Sequence, residues 1–329
     1  MKKIIGIDIS KDTFDVSFLD ENQKWTYKVY ENTPTGFKKL WKDTGKDCHF
    51  VMEASGPYYL KLATYLRKKK ADISVVNPLV IRRYVQMKMF RTKTDKKDAQ
   101  AIAMYGAEQH PPLWEEEEKI IKKMRQIDTA IDGYKKQLTM LKNRLKSFKS
   151  SGVKDKKTFE SLERMIKLTK NEIKKLEKER FKLAQENYGE TMELLMSIPG
   201  VGEKTAILFI ILTNNFTKFE NYKQFLAYIG FNSRIFESGT SVKGKGRISK
   251  VGNAKMRRTL YLTSWSSKRY NKTIKEMYQR LNAKGKKERV IKVALASKIV
   301  KLMFGVLKSG KKYSENFENE RLRMNKKIK

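Results

Sequence analysis

The stretch "MKKIIGIDISKDTFDVSFLDENQKWTYKVYENT", residues 1–33, decides the fold. Ile5, Ile7 and Ile9 alternate with Gly6, Asp8 and Ser10. Phe14, Val16 and Phe18 alternate with Asp15, Ser17 and Leu19, and Trp25, Tyr27 and Val29 continue the same period of two. Three alternating runs joined by short polar turns predict three strands in a meander. Working outward, "PTGFKKLWKDTG" predicts a helix ended by Gly45, "CHFVMEAS" a fourth strand, "PYYLKLATYLRKKK" a second helix and "DISVVNP" a fifth strand. A helix opened by Thr94 follows. The order βββαβαβα is that of an α/β sheet.

Residues 115–187 change period. Ile120, Met124, Ile127, Ile131, Tyr134, Leu138, Leu141, Leu145 and Phe148 recur at spacings of four and three. "KSSGVKDKK" (149–157) interrupts them, and Phe159, Leu162, Ile166, Thr169, Ile173, Leu176, Arg180 and Leu183 resume. Heptads on both sides of a short polar loop predict an antiparallel coiled-coil hairpin, whose narrow seam can close on itself or on another chain. Residues 191–310 read as compact and mostly helical, with a polar loop over 231–252 and a basic flexible tail at 311–329. The expected domains are 1–112, 113–190, 191–310 and the tail.

The chain has 329 residues and a net charge of +37, with 40% hydrophobic and 11% aromatic residues. It is a folded protein built for a polyanion, most often nucleic acid. The last segment, 191–329, carries 31 Lys and Arg against 9 acids, whereas 1–112 carries 21 against 13. One Cys and two His exclude a disulfide framework and leave little for a Cys/His zinc site. No apolar run reaches the length of a membrane span, and no signal peptide or lipidation site is recognisable. The expectation is a cytoplasmic, nucleoid-associated protein with no membrane partner.

Four acids stand out against this charge. Asp8 sits in the first strand and Glu53 ends the fourth. These strands are commonly adjacent and parallel in such an order, which would set the two side by side. Asp95 and Asp98, i and i+3, share one face of a helix's first turn, where the dipole favours anions. A DxxD at a helix start also describes many solvated first turns, and "GIDIS" is shared in outline with sugar kinases and actin-like ATPases. Four acids at matching places of one order reverse those odds. Oxygen-only ligation suits Mg²⁺ or Mn²⁺, and two such ions serve in-line displacement at phosphorus.

"GIDISKDTFDV", "VMEASGPY" and "RTKTDKKDAQAIAMY" resemble the RuvC-like DEDD domain of transposases of the insertion-sequence 110 family, related to the Piv DNA invertases. "SIPGVGEKTA" and "FLAYIGFNSRIFESGTSVKGKGRISKVGNAKMRRTLYLTS" are similar to that family's C-terminal transposase domain. The resemblance covers almost the whole chain. It implies an RNase-H-like N-terminal domain with Asp8, Glu53, Asp95 and Asp98 as metal ligands. It also implies DNA, donor and target, as substrate, and a structured guide RNA (bridge RNA) as partner. A homo-oligomer, dimer or tetramer, is implied too; the acids and the nucleophile meet either within one chain or across protomers, and the resemblance favours the latter.

In the second half, "IPGVGEKTA" (198–206) resembles a helix-hairpin-helix turn, in which Gly200 and Gly202 let the backbone, with Lys204, approach a phosphate. A plain helix–helix turn is the equal alternative. "ESGTSVKGKGRISKVGNAKMRR" places Ser238 and Ser241 ahead of Lys243, Lys245, Arg247, Lys250, Lys255, Arg257 and Arg258, with glycines keeping the loop pliable. A hydroxyl in a cationic loop is what attack on phosphate requires, although a solvated basic loop is the commoner reading of such residues. The resemblance points to the Ser of the "SG" pair, Ser238, as nucleophile, with Ser241 as fallback. The expected activity is that of an RNA-guided, Mg²⁺-dependent DNA recombinase or transposase working through a covalent serine–DNA intermediate. The alternatives are a metal-dependent junction-resolving nuclease using water, a binding-only architectural protein, and a sugar-kinase-like ATPase.

Overall fold

The computed structural model describes residues 2–90, 92, 94–153, 155–234, 237–238, 242–243 and 246–315, with backbone alone at 237–238 and 242–243. The chain forms two compact units, Met1–Glu116 and Glu117–Lys329.

The first unit holds a five-stranded sheet. The meander is β1 (Lys3–Ile9), β2 (Thr13–Leu19) and β3 (Trp25–Glu31), followed by α1 (Pro34–Thr44), β4 (Cys48–Glu53), α2 (Tyr59–Lys68) and β5 (Asp72–Val76). The sheet order is β3-β2-β1-β4-β5. β2 runs antiparallel to β1 and β3, whereas β4 is parallel to β1 and β5. Alternation sorts the side chains onto two faces. Ile5, Ile7, Phe14, Val16, Phe50 and Met52 pack with Phe37, Leu40, Leu62 and Leu66 of α1 and α2. Val51 and Val76 pack on the other face with Ile81 and Ile102, which belong to two further helices, α3 (Pro78–Met87) and α4 (Asp95–Gln109).

α3 differs from the sequence expectation, which carried β5 directly into the helix at Thr94. The Asn77 side chain accepts the Leu79 N–H and Pro78 takes the first helical position, so "NP" is a helix start as well as a strand end.

α4 reaches β1 closely because Gly6 has no side chain. A Cβ there would lie 2.2 Å from the Ala99 carbonyl oxygen and 2.3 Å from the Ala103 nitrogen. At Gly106 a Cβ would lie 2.6 Å from Val51 Cγ2. Ala99, Ala103 and Gly106 thus form a smooth stripe that seats the helix on the backbone of β1, and its first turn comes down at the C-terminal ends of β1 and β4.

The second unit begins with α5 (Lys119–Ser150) and α6 (Lys156–Met196), the expected hairpin. α6 leaves helical geometry at Tyr188, whose hydroxyl donates to Glu118 Oε2 at 2.5 Å. Near this kink Ile121, Met124, Leu183 and Met192 join one core with the helices that follow. Farther out, Leu138, Leu141 and Leu145 are half-buried along the narrow seam. Two seam positions are charged: Arg180 of α6 donates to Asp128 of α5, both more than nine-tenths buried.

α7 (Glu203–Thr213) is buried over its length after Lys204, and α8 (Tyr222–Ile229) follows. The expected polar loop is instead a β-hairpin arm. β6 (Ser233–Arg234) pairs with β9 (Arg247–Ile248), and between them β7 (Glu237–Ser238) pairs with β8 (Val242–Lys243), all antiparallel. Two-residue ladders without hydrophobic alternation leave no sequence signal. The base of the arm is tight rather than pliable. A Cβ at Gly252 would lie 2.0 Å from the Tyr228 carbonyl oxygen, and one at Gly230 2.4 Å from that of Val251. Both glycines hold positive φ, so a side chain there is strained as well as crowded. α9 (Ala254–Tyr270), α10 (Lys272–Ala283) and α11 (Glu288–Ser309) complete the core. The first residues of the expected tail are docked, since the Tyr313 N–H donates to Ser197 Oγ at 2.9 Å. Residues 316–329 lie outside the described residues. Among the described residues no helix is long and apolar enough to cross a membrane.

Candidate active site

The acid cluster follows from the sheet. Ile7 is opposite Met52 in the β1–β4 ladder, so the next step brings Asp8 beside Glu53, both on the face that α4 covers. The Ser55 hydroxyl donates to Glu53 Oε1 at 2.8 Å. Thr94 caps α4 by accepting the Lys97 N–H, which fixes Asp95 and Asp98 in the first turn. Asp95 is exposed and Asp98 half-buried.

Asp8 senses all of them. Burial, and then the charges of Glu53, Asp98, Asp95 and Asp15, push its carboxyl up from 3.8 to about 6. Each cause disfavours the ionised form. Among the described residues no three such groups converge closely enough to enclose an ion by themselves. The donors are nevertheless all carboxylate oxygens whose mutual repulsion a hard divalent cation would relieve, so the set fits Mg²⁺ or Mn²⁺.

Asp15 was not singled out in the sequence. It is the direct cross-strand partner of Asp8, is 8% exposed, and accepts a hydrogen bond of 2.5 Å from the Tyr27 hydroxyl of β3. That bond holds the Tyr27 phenol up at about 12, ahead of desolvation. The signal was available. Asp15 falls on the Asp8 face by the period of two, but the alternation does not say that α4 would bury that face. The two histidines take structural positions: His49 is 2.8 Å from Ser74 Oγ, and His110 is the left-handed cap of α4.

In the second unit the residues expected to contact nucleic acid have the following surroundings. Gly200 permits a close approach, but to protein: its Cβ would lie 2.5 Å from Ser267 Cα of α9. Gly202 is exposed at the start of α7, with nothing near its Cβ direction, and Lys204 pairs with Glu177 at 3.3 Å. Lys255 is turned inward, 2.5 Å from Asp128 and 2.7 Å from Asp132. Arg257 donates to the Ile229 carbonyl at 2.7 Å, at the end of α8. Each of these partners lies outside the residue's own local stretch of sequence. Arg247, Lys250 and Arg258 are exposed. Ser238 is paired with Val242 on the arm, beside Lys243. Ser241 and Lys245 lie outside the described residues.

Two family models match the chain. One, described as Transposase and built on the DEDD members of the IS110 group, covers residues 5–148. The other, described as Transposase IS116/IS110/IS902 family, covers residues 192–279. The chain belongs to the IS110 family of transposases. As such it is an enzyme of DNA recombination. Two similar proteins, each called pilin gene-inverting protein, come from Moraxella lacunata and Moraxella bovis. They are 29% and 28% identical over 329 and 327 residues, 95% of this chain and 98% of each relative. An insertion element IS110 uncharacterized 43.6 kDa protein of Streptomyces coelicolor is 27% identical over 120 residues, 36% of this chain and 29% of that protein. The four acids of this IS110 transposase fall in the first matched stretch, and Ser238 with α9 in the second.

Proposed function

We propose that this chain is an RNA-guided, Mg²⁺-dependent DNA recombinase that cuts and rejoins strands through an ester between Ser238 and DNA. The observation that carries the reading is the Asp8 carboxyl, which burial first and then the charges of Glu53, Asp98, Asp95 and Asp15 raise to about 6. A basic protein keeps such a cluster where negative charge is needed to gather cations. Bound there, a divalent metal would supply charge neutralisation at the phosphate and acidify an attacking hydroxyl. The sheet order, with β1 central between an antiparallel meander and two parallel strands, supports an RNase-H-like, RuvC-like domain.

In the proposed step the Ser238 oxygen bonds to a DNA phosphorus and the sugar oxygen leaves. The hydroxyl proton is given up to solvent as the bond forms, and the departing sugar oxygen takes up a proton from solvent. An incoming sugar hydroxyl reverses the step on a new strand, so the phosphodiester count is conserved. Arg247 and Lys250 on the arm, and Gly202 at the start of α7, serve the phosphates. The guide RNA is supported by the family resemblance and by a charge of +37, and a cytoplasmic homo-oligomer fits the same reading.

The test of the metal reading is cleavage of a labelled DNA end in the presence of the RNA transcribed beside the gene. Wild type is expected to cut in Mg²⁺ and to stop in EDTA, and Asp95→Asn is expected to be inactive in both. Cleavage that continues in EDTA would overturn the assignment of the acids.

A further inference from the structure

The outward face of α9 presents Arg258, Leu262, Trp265 and Arg269, spaced by four, three and four, as one stripe. Leu262 is 62% and Trp265 39% exposed, and both arginines are exposed. The opposite face, Met256, Leu260, Thr263, Ser264 and Ser267, is buried, so the fold does not need the stripe for its core. The stretch of chain that contains α9 carries charge of one sign: residues 238–275 contain 11 Lys and Arg and no Asp or Glu, and Glu288 of α11 pairs with Lys292 at 3.6 Å. Trp265 is also held in place. The Lys292 ammonium of α11 lies 3.8 Å from its ring centroid and is shared with Tyr261 at 5.2 Å. Lys268 covers Trp265 loosely at 5.0 Å and sits closer to Tyr278, at 3.4 Å. A large aromatic fixed before binding loses little side-chain entropy when something docks on it.

We propose that this face of α9 is a docking surface for an unpaired DNA strand. A base stacks on the exposed part of Trp265, beside Leu262, while Arg258 and Arg269, about 16 Å apart along the helix, take flanking phosphates. Charge selects a polyanion. The exposed indole selects an unpaired strand, because a base within a duplex has no free face to offer. DNA is chosen over RNA because the chain is a transposase. The placement suits a strand in transit, since Asn253 caps α9 directly after the clamped base of the arm that carries Ser238.

The inference rests on the proposed recombinase reading for why a free strand would arise, so its test omits divalent metal and reads binding alone. Full-length protein is titrated against a fluorescent single strand, its duplex and the same-sequence RNA, with anisotropy as readout. Wild type is expected to prefer the single-stranded DNA. Trp265→Ala should weaken it about tenfold with duplex binding unchanged, and Trp265→Phe, which keeps a stacking ring, should retain most of the affinity. Arg258→Ala and Arg269→Ala should each lower the salt slope of log affinity by about 0.7. Thermal midpoints equal to wild type for Trp265→Phe and Arg258→Ala show that the fold is intact. Three results would overturn the proposal: wild-type affinity of Trp265→Ala for the single strand, equal losses on single strand and duplex, or tighter binding of the RNA. A change of oligomeric state in Trp265→Ala would do the same, by assigning the face to a second copy of the chain.

Discussion

Asp8→Asn is expected to abolish DNA strand cleavage and, at the same time, to make the metal-free protein more stable at neutral pH. The two effects have one origin. Metal-assisted displacement at phosphorus draws several kcal/mol from charge neutralisation, and about 1.4 kcal/mol is a factor of ten, so a loss of a hundredfold or more follows. The stability gain comes from removing a charge that burial, and then repulsion from Glu53, Asp98, Asp95 and Asp15, disfavours, lifting the carboxyl to about 6. A carboxyl whose folded value lies above its unfolded 3.8 stabilises the fold fully below that value, and the contribution is lost as pH rises through about 6. At pH 7 the wild type therefore carries the whole cost of the buried, repelled charge. Removing it should gain about 1–2 kcal/mol, discounted for the partial exposure of the group. Thermal unfolding in EDTA at pH 5 and 7 checks the sign: the variant's advantage should appear at pH 7 and shrink at pH 5. Mg²⁺ should raise the midpoint of wild type but not of the variant, and its affinity for wild type should fall as pH drops through about 6, where protons compete for Asp8. A metal-free variant no more stable than wild type at pH 7 would mean that neither burial nor the neighbouring acids disfavour the Asp8 charge.

The second large effect is on folding of the helical unit. Asp128 and Arg180 face each other across α5 and α6 at 7% and 5% exposure, and Lys255 of α9 closes on the same carboxylate at 2.5 Å. Asp128→Ala leaves the guanidinium buried without its counter-ion, and Arg180 Nε has no hydrogen-bond partner to begin with. Breaking such a pair costs about 3–5 kcal/mol, which for a unit of this size lowers the melting temperature by about 10 °C. Replacing both partners, Asp128→Leu with Arg180→Met, should recover most of the loss, because the charge and its partner go together. Circular dichroism at the helical minimum would read both. A loss below about 1 kcal/mol in Asp128→Ala would show that water reaches the pair.

Much of the acid site was legible in the sequence for local reasons. The strand order placed β1 beside β4, the period of two put Asp8 and Glu53 on one face, and Thr94 announced the helix whose first turn carries Asp95 and Asp98. What escaped depended on distant partners. Asp15 reads as an ordinary alternating residue until α4 buries its face and Tyr27 reaches across from β3. Lys255 reads as one more cation until Asp128 and Asp132 appear beside it, more than a hundred residues away in sequence. Gly200 has the look of a phosphate-binding glycine, yet α9 needs the same lack of a side chain. The arm at 233–248 escaped for another reason: ladders two residues long are too short to imprint a period.

The most direct test of the recombinase reading is the covalent step. Protein, its RNA, a labelled DNA end and Mg²⁺ are combined, and the products are separated on a denaturing gel. A protein-linked DNA band is expected in wild type and is absent from Ser238→Ala and from Asp8→Asn, with the linked nucleotide on the peptide containing Ser238. Cleavage by wild type without any such band would contradict that reading, and would leave the four acids to a nuclease that uses water.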